Sequence, residues 1–309
     1  MFSHDSLLRR IEAIQKAASD SILIDRLLTD AEHNDRARLL RNGLMVVAFT
    51  SLEDFIRART GELLELISRT IVPFSDLPEP LRNAATMGAM KAARARADMA
   101  KNSGEDALAL LQTAASHVAS TAGGPLQISR YSLGYLGSNL SSSEMAGILV
   151  AFNAQDAWNE ISRIASRCGA GSLPLKSAYD QAMRLRHSAA HSPDANVQPQ
   201  NLQDFCTQAV SVALGFDVIA SRAARLLRDG DPELLTGKMK ISDGLEIRFL
   251  DEEARGYVER RETAQRAISV TKDAQAALQR AVQNAVKSRS PVVLRGQSGL
   301  PSNWVITDS

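Results

Sequence analysis

Residues 39–57 read LLRNGLMVVAFTSLEDFIR, and this stretch is the best guide to the fold. Its apolar residues recur at the spacing of an α-helix that turns one face toward a core. The pattern extends from a helix start after Asn34-Asp35, a plausible cap, to Ile67. Pro73, Pro78 and Pro80 then end the helix. The sequence therefore predicts one long amphipathic helix.

Most of the remaining chain also favours helix. Aromatic residues make up only 5% of the sequence, whereas helix-forming residues abound. Further helices are predicted at about residues 5–30 with a break near 18–21, and at 81–100, 105–120, 143–164, 176–191 and 202–227. The expected fold class is mainly α, with a helical bundle over residues 1–230.

The sequence changes character after residues 228–232. Residues 240–250 alternate apolar and polar side chains around Asp243-Gly244, which predicts a β-hairpin with its turn there. Residues 272–288 favour a helix, and residues 291–294 and 304–306 favour strands. We therefore expect a small α+β domain over residues 237–309.

Composition excludes several classes of protein. The chain has 309 residues, 44% hydrophobic and 23% charged, which is typical of a folded globular protein. Its net charge of +1 gives no global reason to bind nucleic acid, so any RNA contact must come from a local patch.

Cys168 and Cys206 lack a CxxC pairing, so we expect buried, reduced thiols. No signal peptide or membrane-length apolar run is visible, and we expect a cytoplasmic protein with no membrane contact.

The segment at residues 183–193, MRLRHSAAHSP, has the densest chemistry in the chain and holds two of its five histidines. On a helix, Arg184, His187 and His191 share one face. Arg186 lies five positions before His191, about 140° around the helix at ~100° per residue. Arg186 and His191 can therefore meet only through the reach of the arginine, a fraying helix end or a second subunit.

These residue types suit cleavage of a phosphodiester. A histidine with a pKa near ~6.5 can give or take a proton at neutral pH, and an arginine offers a fixed fork of donors to phosphate. A base can deprotonate an RNA 2′-hydroxyl, which then attacks its own phosphate while the arginine stabilises the growing charge. Neither a metal ion nor a cofactor is expected.

The segment resembles the Arg-x4-His motif of the HEPN superfamily, with Arg186 followed by the polar His187 and, five residues after the arginine, by His191. Residues 39–57, with Glu53 after an apolar run, are similar to the early helix of the RiboL-PSP and MAE-like branches. The resemblance covers roughly residues 5–228 in helix order. It implies a HEPN-like helical bundle that dimerises, so that two Arg/His pairs form one site.

The resemblance also implies roles for individual residues. Arg186 would hold phosphate, His191 would be the acid or base, and His187 would assist it. Glu53 would support the site. Two further residues of the same segment, Arg184 and Ser188, are the candidate substrate-binding residues.

By the same resemblance, the protein would be a metal-independent endoribonuclease that acts as a homodimer on RNA such as tRNA or mRNA. Its role would be that of a toxin or an antiphage, abortive-infection effector, with an antitoxin or defence-system protein as a partner. One branch of the family carries a tyrosine two residues after the histidine, which a partner enzyme adenylylates. This chain has Pro193 there, so that form of silencing is not expected.

Several plainer interpretations compete with this one. The Arg/His segment is also consistent with a solvated helix face. His187 and His191 have the two-histidine spacing of a zinc protease, but Ser188 stands where the catalytic glutamate is needed. An ion pair with Arg57 is a sufficient structural reason for Glu53. The basic cluster at residues 91–96 is either an RNA-facing surface or an ordinary solvated face.

The rival functional hypothesis is a catalytically silent HEPN-like module. Such a module would bind RNA, a nucleotide or a partner protein, with its C-terminal α+β domain making the contact.

Overall fold

The computed structural model describes residues 3–135, 139–171, 174–264 and 266–307. The helices of the N-terminal bundle are α1 Ser3–Ala18, α2 Ala31–Ile67, α3 Glu79–Asn83, α4 Ala89–Ser103, α5 Ala107–Ser120, α6 Ser142–Ala151, α7 Ala157–Ala165, α8 Leu175–His191, α9 Pro199–Asp229 and α10 Pro232–Leu235. The C-terminal elements are β1 Arg248–Glu253, β2 Gly256–Arg261, β3 Ser269–Thr271, α11 Ala274–Ser288, β4 Val292–Arg295 and β5 Pro301–Val305. The predicted fold class, mainly α with a small C-terminal sheet, is confirmed.

The long helix α2 starts earlier than the sequence predicts. It begins at Ala31, so Asn34 lies in its first turn. The Asn34 side-chain oxygen accepts a hydrogen bond from the Arg26 backbone N–H at 2.7 Å, and its amide nitrogen donates to the Leu27 carbonyl at 3.2 Å. Asn34 therefore fastens the preceding loop to the helix and does not cap it.

Helix α9 forms the centre of the bundle. Every residue from 211 to 221 is buried, because α9 is packed against α1, α2, α7, α8 and β5. This middle stretch is therefore enclosed on all sides, whereas the sequence predicted an amphipathic helix. A Cβ added at Gly215 would lie 2.6 Å from the Ile161 carbonyl oxygen of α7, which only a glycine allows.

The C-terminal sheet has the strand order β3-β2-β1-β4-β5. Strands β1 and β4 are parallel and the other neighbours are antiparallel. Helix α11 provides the crossover before β4. Its three buried alanines, Ala277, Ala281 and Ala285, pack against Leu250 and Val292 of the sheet.

The predicted hairpin turn at Asp243-Gly244 is wrong in position. Residues 241–244 form a turn without flanking strands, and the hairpin between β1 and β2 reverses at residues 254–255. The reason is a tertiary contact. Glu160 of α7 accepts hydrogen bonds from the Ser242 backbone N–H at 2.7 Å and from its hydroxyl at 3.0 Å, which holds this segment against the bundle.

A buried polar network joins the sheet to the bundle. Asp217 of α9 accepts hydrogen bonds from Arg59 of α2 at 2.6 Å and from the indole N–H of Trp304 in β5 at 2.8 Å. Ser221 donates to the same carboxylate at 2.8 Å. Since Ile241, Ile247, Phe249, Val293 and Trp304 also belong to the main hydrophobic core, the sheet and the helices share one interior.

Helices that could span a membrane are absent from the described part of the chain, since none there is both long and apolar enough.

Replacing Asp217 with alanine should lower the free energy of unfolding by about 3–5 kcal/mol, because Arg59 would lose its buried carboxylate and keep only the part-exposed Glu62, and Trp304 would lose its acceptor. Urea denaturation measures this change. The control is Asp204→Ala, at an exposed position on the same helix, which should stay within about 0.5 kcal/mol of wild type. Equal losses in both variants would show that the network is not a major source of stability.

Candidate active site

Helix α8 is regular as far as His191. The Ser192 backbone N–H donates to the Ser188 carbonyl at 2.8 Å, and Ser192 itself has extended backbone angles. The helix therefore ends after His191, with its last turn hydrogen-bonded in the structure. Of the three ways in which Arg186 and His191 could meet, only the reach of the arginine and a second subunit remain.

The outer face of α8 carries the two histidines. His187 and His191 are exposed, and the centres of their rings are 4.7 Å apart. Arg184 is exposed on the same face, and Ser188 is half-buried. Two imidazoles this close can provide a proton donor and a proton acceptor at one place, next to a permanent positive charge.

Arg186 lies on the inner face of α8, the face that also carries the buried Tyr179 and Ala182. The side chain is half-buried, and its Nε atom is buried without a hydrogen-bond partner among the described residues. Burial raises the pKa of the Glu53 carboxyl on α2, and the charge of Arg186 offsets part of this rise. The structure therefore relates Arg186 to Glu53 and places it away from His191 within one chain.

Glu53 is only 1% exposed and serves as a buried anchor. Its carboxylate accepts a hydrogen bond from the Leu140 backbone N–H, and the Tyr179 hydroxyl donates to the Leu140 carbonyl at 2.6 Å. Burial raises the pKa of Glu53, while the Leu140 hydrogen bond and the charges of Arg57 and Arg186 offset part of this rise. Glu53 thus fixes residues 139–141, before α6, against α2 and α8.

Two residues that hold the end of α8 in place were not predicted from the sequence. Arg41 of α2 donates from Nε to the Val197 carbonyl at 2.6 Å. Asn42 donates to the Ala195 carbonyl at 2.7 Å and accepts from the Val197 N–H at 3.1 Å. In the sequence, Arg41 and Asn42 are distinguished only as a polar pair inside the apolar pattern of α2. Their side chains set the path of the loop that follows His191.

A neighbouring face of α2 is apolar and exposed. We name Leu39, Leu40, Gly43 and Val47 the α2 stripe; its three apolar side chains are 62%, 44% and 53% exposed, respectively. Gly43 directly follows Asn42, so the α2 stripe lies ~100° around the helix from the side that holds the α8 end. Apolar surface grouped in this way often marks a protein interface.

Metal-binding and thiol chemistry have little support in the described ranges. Within them, no group of three or more His, Cys, Asp or Glu residues is close enough to hold a metal ion. Cys168 and Cys206 are unpaired and buried, as the sequence predicted. Burial raises the pKa of Cys168 to about 12 and that of Cys206 to about 11, which keeps both thiols protonated and unreactive.

Comparison of this chain with protein-family models, with curated proteins and with solved structures finds no match. The residues of α2 and α8 are therefore the only basis for a proposed function.

Glu53→Gln should flatten the dependence of stability on pH. The pKa of Glu53 is raised above 4.5 in the fold, so its protonated form is favoured there. The stability that the fold gains by holding Glu53 protonated is therefore complete below pH 4.5. This stability is lost as the pH rises through the raised pKa of Glu53. The loss is on the order of 1 kcal/mol for each unit of pKa shift.

The glutamine side chain of this variant would still accept the Leu140 N–H but cannot ionise. Urea denaturation between about pH 4.5 and pH 7 should show a smaller loss of stability in Glu53→Gln than in wild type. The exposed Glu65→Gln variant on the same helix should follow wild type. Parallel curves for Glu53→Gln and wild type would contradict a raised pKa at Glu53.

Proposed function

We propose that this protein is a metal-independent endoribonuclease of the HEPN type that acts as a homodimer. The observation that carries the proposal is the pairing of His187 and His191 on the exposed face of an intact helix, with Arg184 beside them. Arg186 on the adjoining inner face adds a second positive charge, and Glu53 supports it from α2.

In the proposed reaction, His191 accepts the proton of an RNA 2′-hydroxyl, and the 2′-oxygen attacks the adjacent phosphorus. The bond from phosphorus to the 5′-oxygen breaks, and this oxygen takes up a proton. The products are a 2′,3′-cyclic phosphate and a free 5′-hydroxyl. Arg186 stabilises the negative charge that grows on the phosphate oxygens, and His187 is placed to deliver or relay the second proton.

Arg184 and Ser188 are proposed to bind the RNA backbone. Arg184 projects from the same face as the two histidines, one turn before His187. Ser188 directly follows His187 and is half-buried, and its hydroxyl can donate to a phosphate oxygen. Contacts of this kind position a substrate without reading its sequence.

The geometry of α8 supports a dimer. Arg186 and His191 point ~140° apart on a helix whose last turn is hydrogen-bonded, so one chain presents them on different faces. A second copy of the chain seated on the α2 stripe would lie beside the end of α8 and would bring its own Arg186 and His191 to the same cleft. Burying Leu39, Leu40 and Val47 would favour this association.

Such an activity would suit a toxin or an abortive-infection effector, because uncontrolled cleavage of tRNA or mRNA stops growth. An antitoxin or another protein of a defence system would then restrain it.

His191→Ala should slow RNA cleavage by about 100-fold or more, which is the usual contribution of a general acid or base. The assay uses purified protein, total RNA and excess EDTA. His33→Ala removes a histidine that bonds to the Ile24 carbonyl, far along the chain from α8, and should cleave like wild type. Full activity in an Arg186→Ala, His191→Ala double variant would rule out the proposed site.

Val47→Asp should convert the dimer to a monomer and abolish cleavage together with it, because a charge would be placed in the proposed interface. Light scattering measures the mass and the EDTA assay measures cleavage. Val286→Asp on α11 is the matched control, since Val286 is 54% exposed and Val47 is 53% exposed. A wild-type protein that is strictly monomeric and still cleaves RNA would contradict the two-subunit site.

A further inference from the structure

A cavity lies near the C-terminal end of α2. It has a volume of about 330 Å³ and lies between α4, α5 and residues 128–131. Glu65, at its edge, is about 18 Å along α2 from Glu53 at ~1.5 Å per residue. One wall is apolar and consists of Ala89, Ala93, Leu110, Ala114 and Ile128. The volume falls within the range of small-molecule sites.

The opposite wall carries two arginines. The Arg96 guanidinium stacks on the Tyr131 ring, 3.6 Å from its centre, and forms no hydrogen bond or ion pair within the described ranges. The Arg130 guanidinium is 5.8 Å from the centre of the same ring. Its nearest acid is Glu65, at 3.9 Å and exposed to solvent. The cavity therefore holds positive charge that its own residues barely neutralise.

A buried polar atom lies in the same cavity. His117 of α5 has its Nδ1 atom buried, with no hydrogen-bond partner among the residues that the structure describes. The nearby Thr113 hydroxyl is already used, since it donates to the Ala109 carbonyl at 2.8 Å. An unsatisfied buried nitrogen costs free energy unless a ligand or water bonds to it.

We propose that this cavity binds a small organic phosphate, of the size and chemistry of a nucleoside monophosphate. Arg96 and Arg130 bind the phosphate oxygens, for which the fork of a guanidinium is well suited. The His117 ring hydrogen-bonds to the ligand, and the apolar wall contacts its base or sugar. Of the three basic residues within 91–96, Arg96 lines the cavity, while Lys91 and Arg94 are exposed to solvent.

The segment after the cavity connects it to the candidate active site. Tyr131 packs edge-on against Tyr135, with ring centres 4.9 Å apart, and Arg57 lies over the Tyr135 ring at 5.9 Å. Arg57 also donates to the Gly134 carbonyl at 2.8 Å and is one helical turn from Glu53. These contacts connect the cavity to the part of α2 that carries Glu53. Any effect on RNA cleavage would rest on the proposed ribonuclease function, whereas the binding itself does not.

Calorimetry and thermal melting with the whole 309-residue chain test the binding. The probes are AMP, UMP, inorganic phosphate and, as an uncharged control, adenosine. At least one monophosphate should bind with a Kd below about 1 mM and raise the melting temperature, more tightly than phosphate or adenosine alone. Arg96→Ala should weaken this binding by about tenfold or more, since it removes charge-assisted hydrogen bonds.

Arg94→Ala is the matched control, because it removes an exposed arginine from the same helix and should bind like wild type. Arg130→Ala provides a second test if Arg96→Ala melts abnormally without ligand. The proposal is overturned if no monophosphate binds, if adenosine binds as tightly as AMP, or if both cavity variants bind like wild type. Loss of RNA binding in Arg96→Ala without any binding of monophosphates also overturns it and assigns Arg96 to an RNA surface.

Discussion

The buried carboxylate of Asp217 is the contact on which the packing of α2, α9 and β5 depends. One of its oxygens accepts from Arg59 and Ser221, and the other accepts from the Trp304 indole, so α2, α9 and β5 meet at one buried point. A buried carboxylate tolerates few arrangements, because each missing partner costs desolvation energy. The network therefore sets the register of α2 against α9, and α2 in turn carries Glu53. The C-terminal sheet contributes to the interior through Trp304 and is not a removable attachment.

Helix α8 divides its residues between two faces, and this division shapes the proposed function. His187 and His191 face solvent near the helix end, while Arg186 turns inward toward Glu53. Under the proposed function, a single chain would offer half of a cleavage site. The exposed α2 stripe gives a physical reason for a second copy to complete it, since it leaves apolar surface beside the loop that Arg41 and Asn42 hold in place.

Local periodicity was sufficient to predict most of the helices, but not strands β2 and β3 or the partners of the polar residues. The spacing of apolar residues predicted α2 and α8, and the α11 region, because a helix depends on neighbours three and four positions away. The sequence offered an ion pair with Arg57 as the plain structural reason for Glu53, but could not show its hydrogen bond from Leu140, 87 residues further along the chain. The turn at Asp243-Gly244 likewise depends on Glu160, a contact that no local pattern contains.

The chemistry of the cleaved RNA ends is the sharpest test of the proposed reaction. RNA incubated with the protein in excess EDTA should yield 2′,3′-cyclic phosphate and 5′-hydroxyl ends, and substrates with 2′-O-methyl groups at the cut sites should stay intact. His191→Ala, prepared in the same way, should cleave the RNA about 100-fold or more slowly. Products with 5′-phosphate ends, cleavage of 2′-O-methyl RNA, or activity that appears only with added divalent metal would contradict the proposed role of His191 and Arg186.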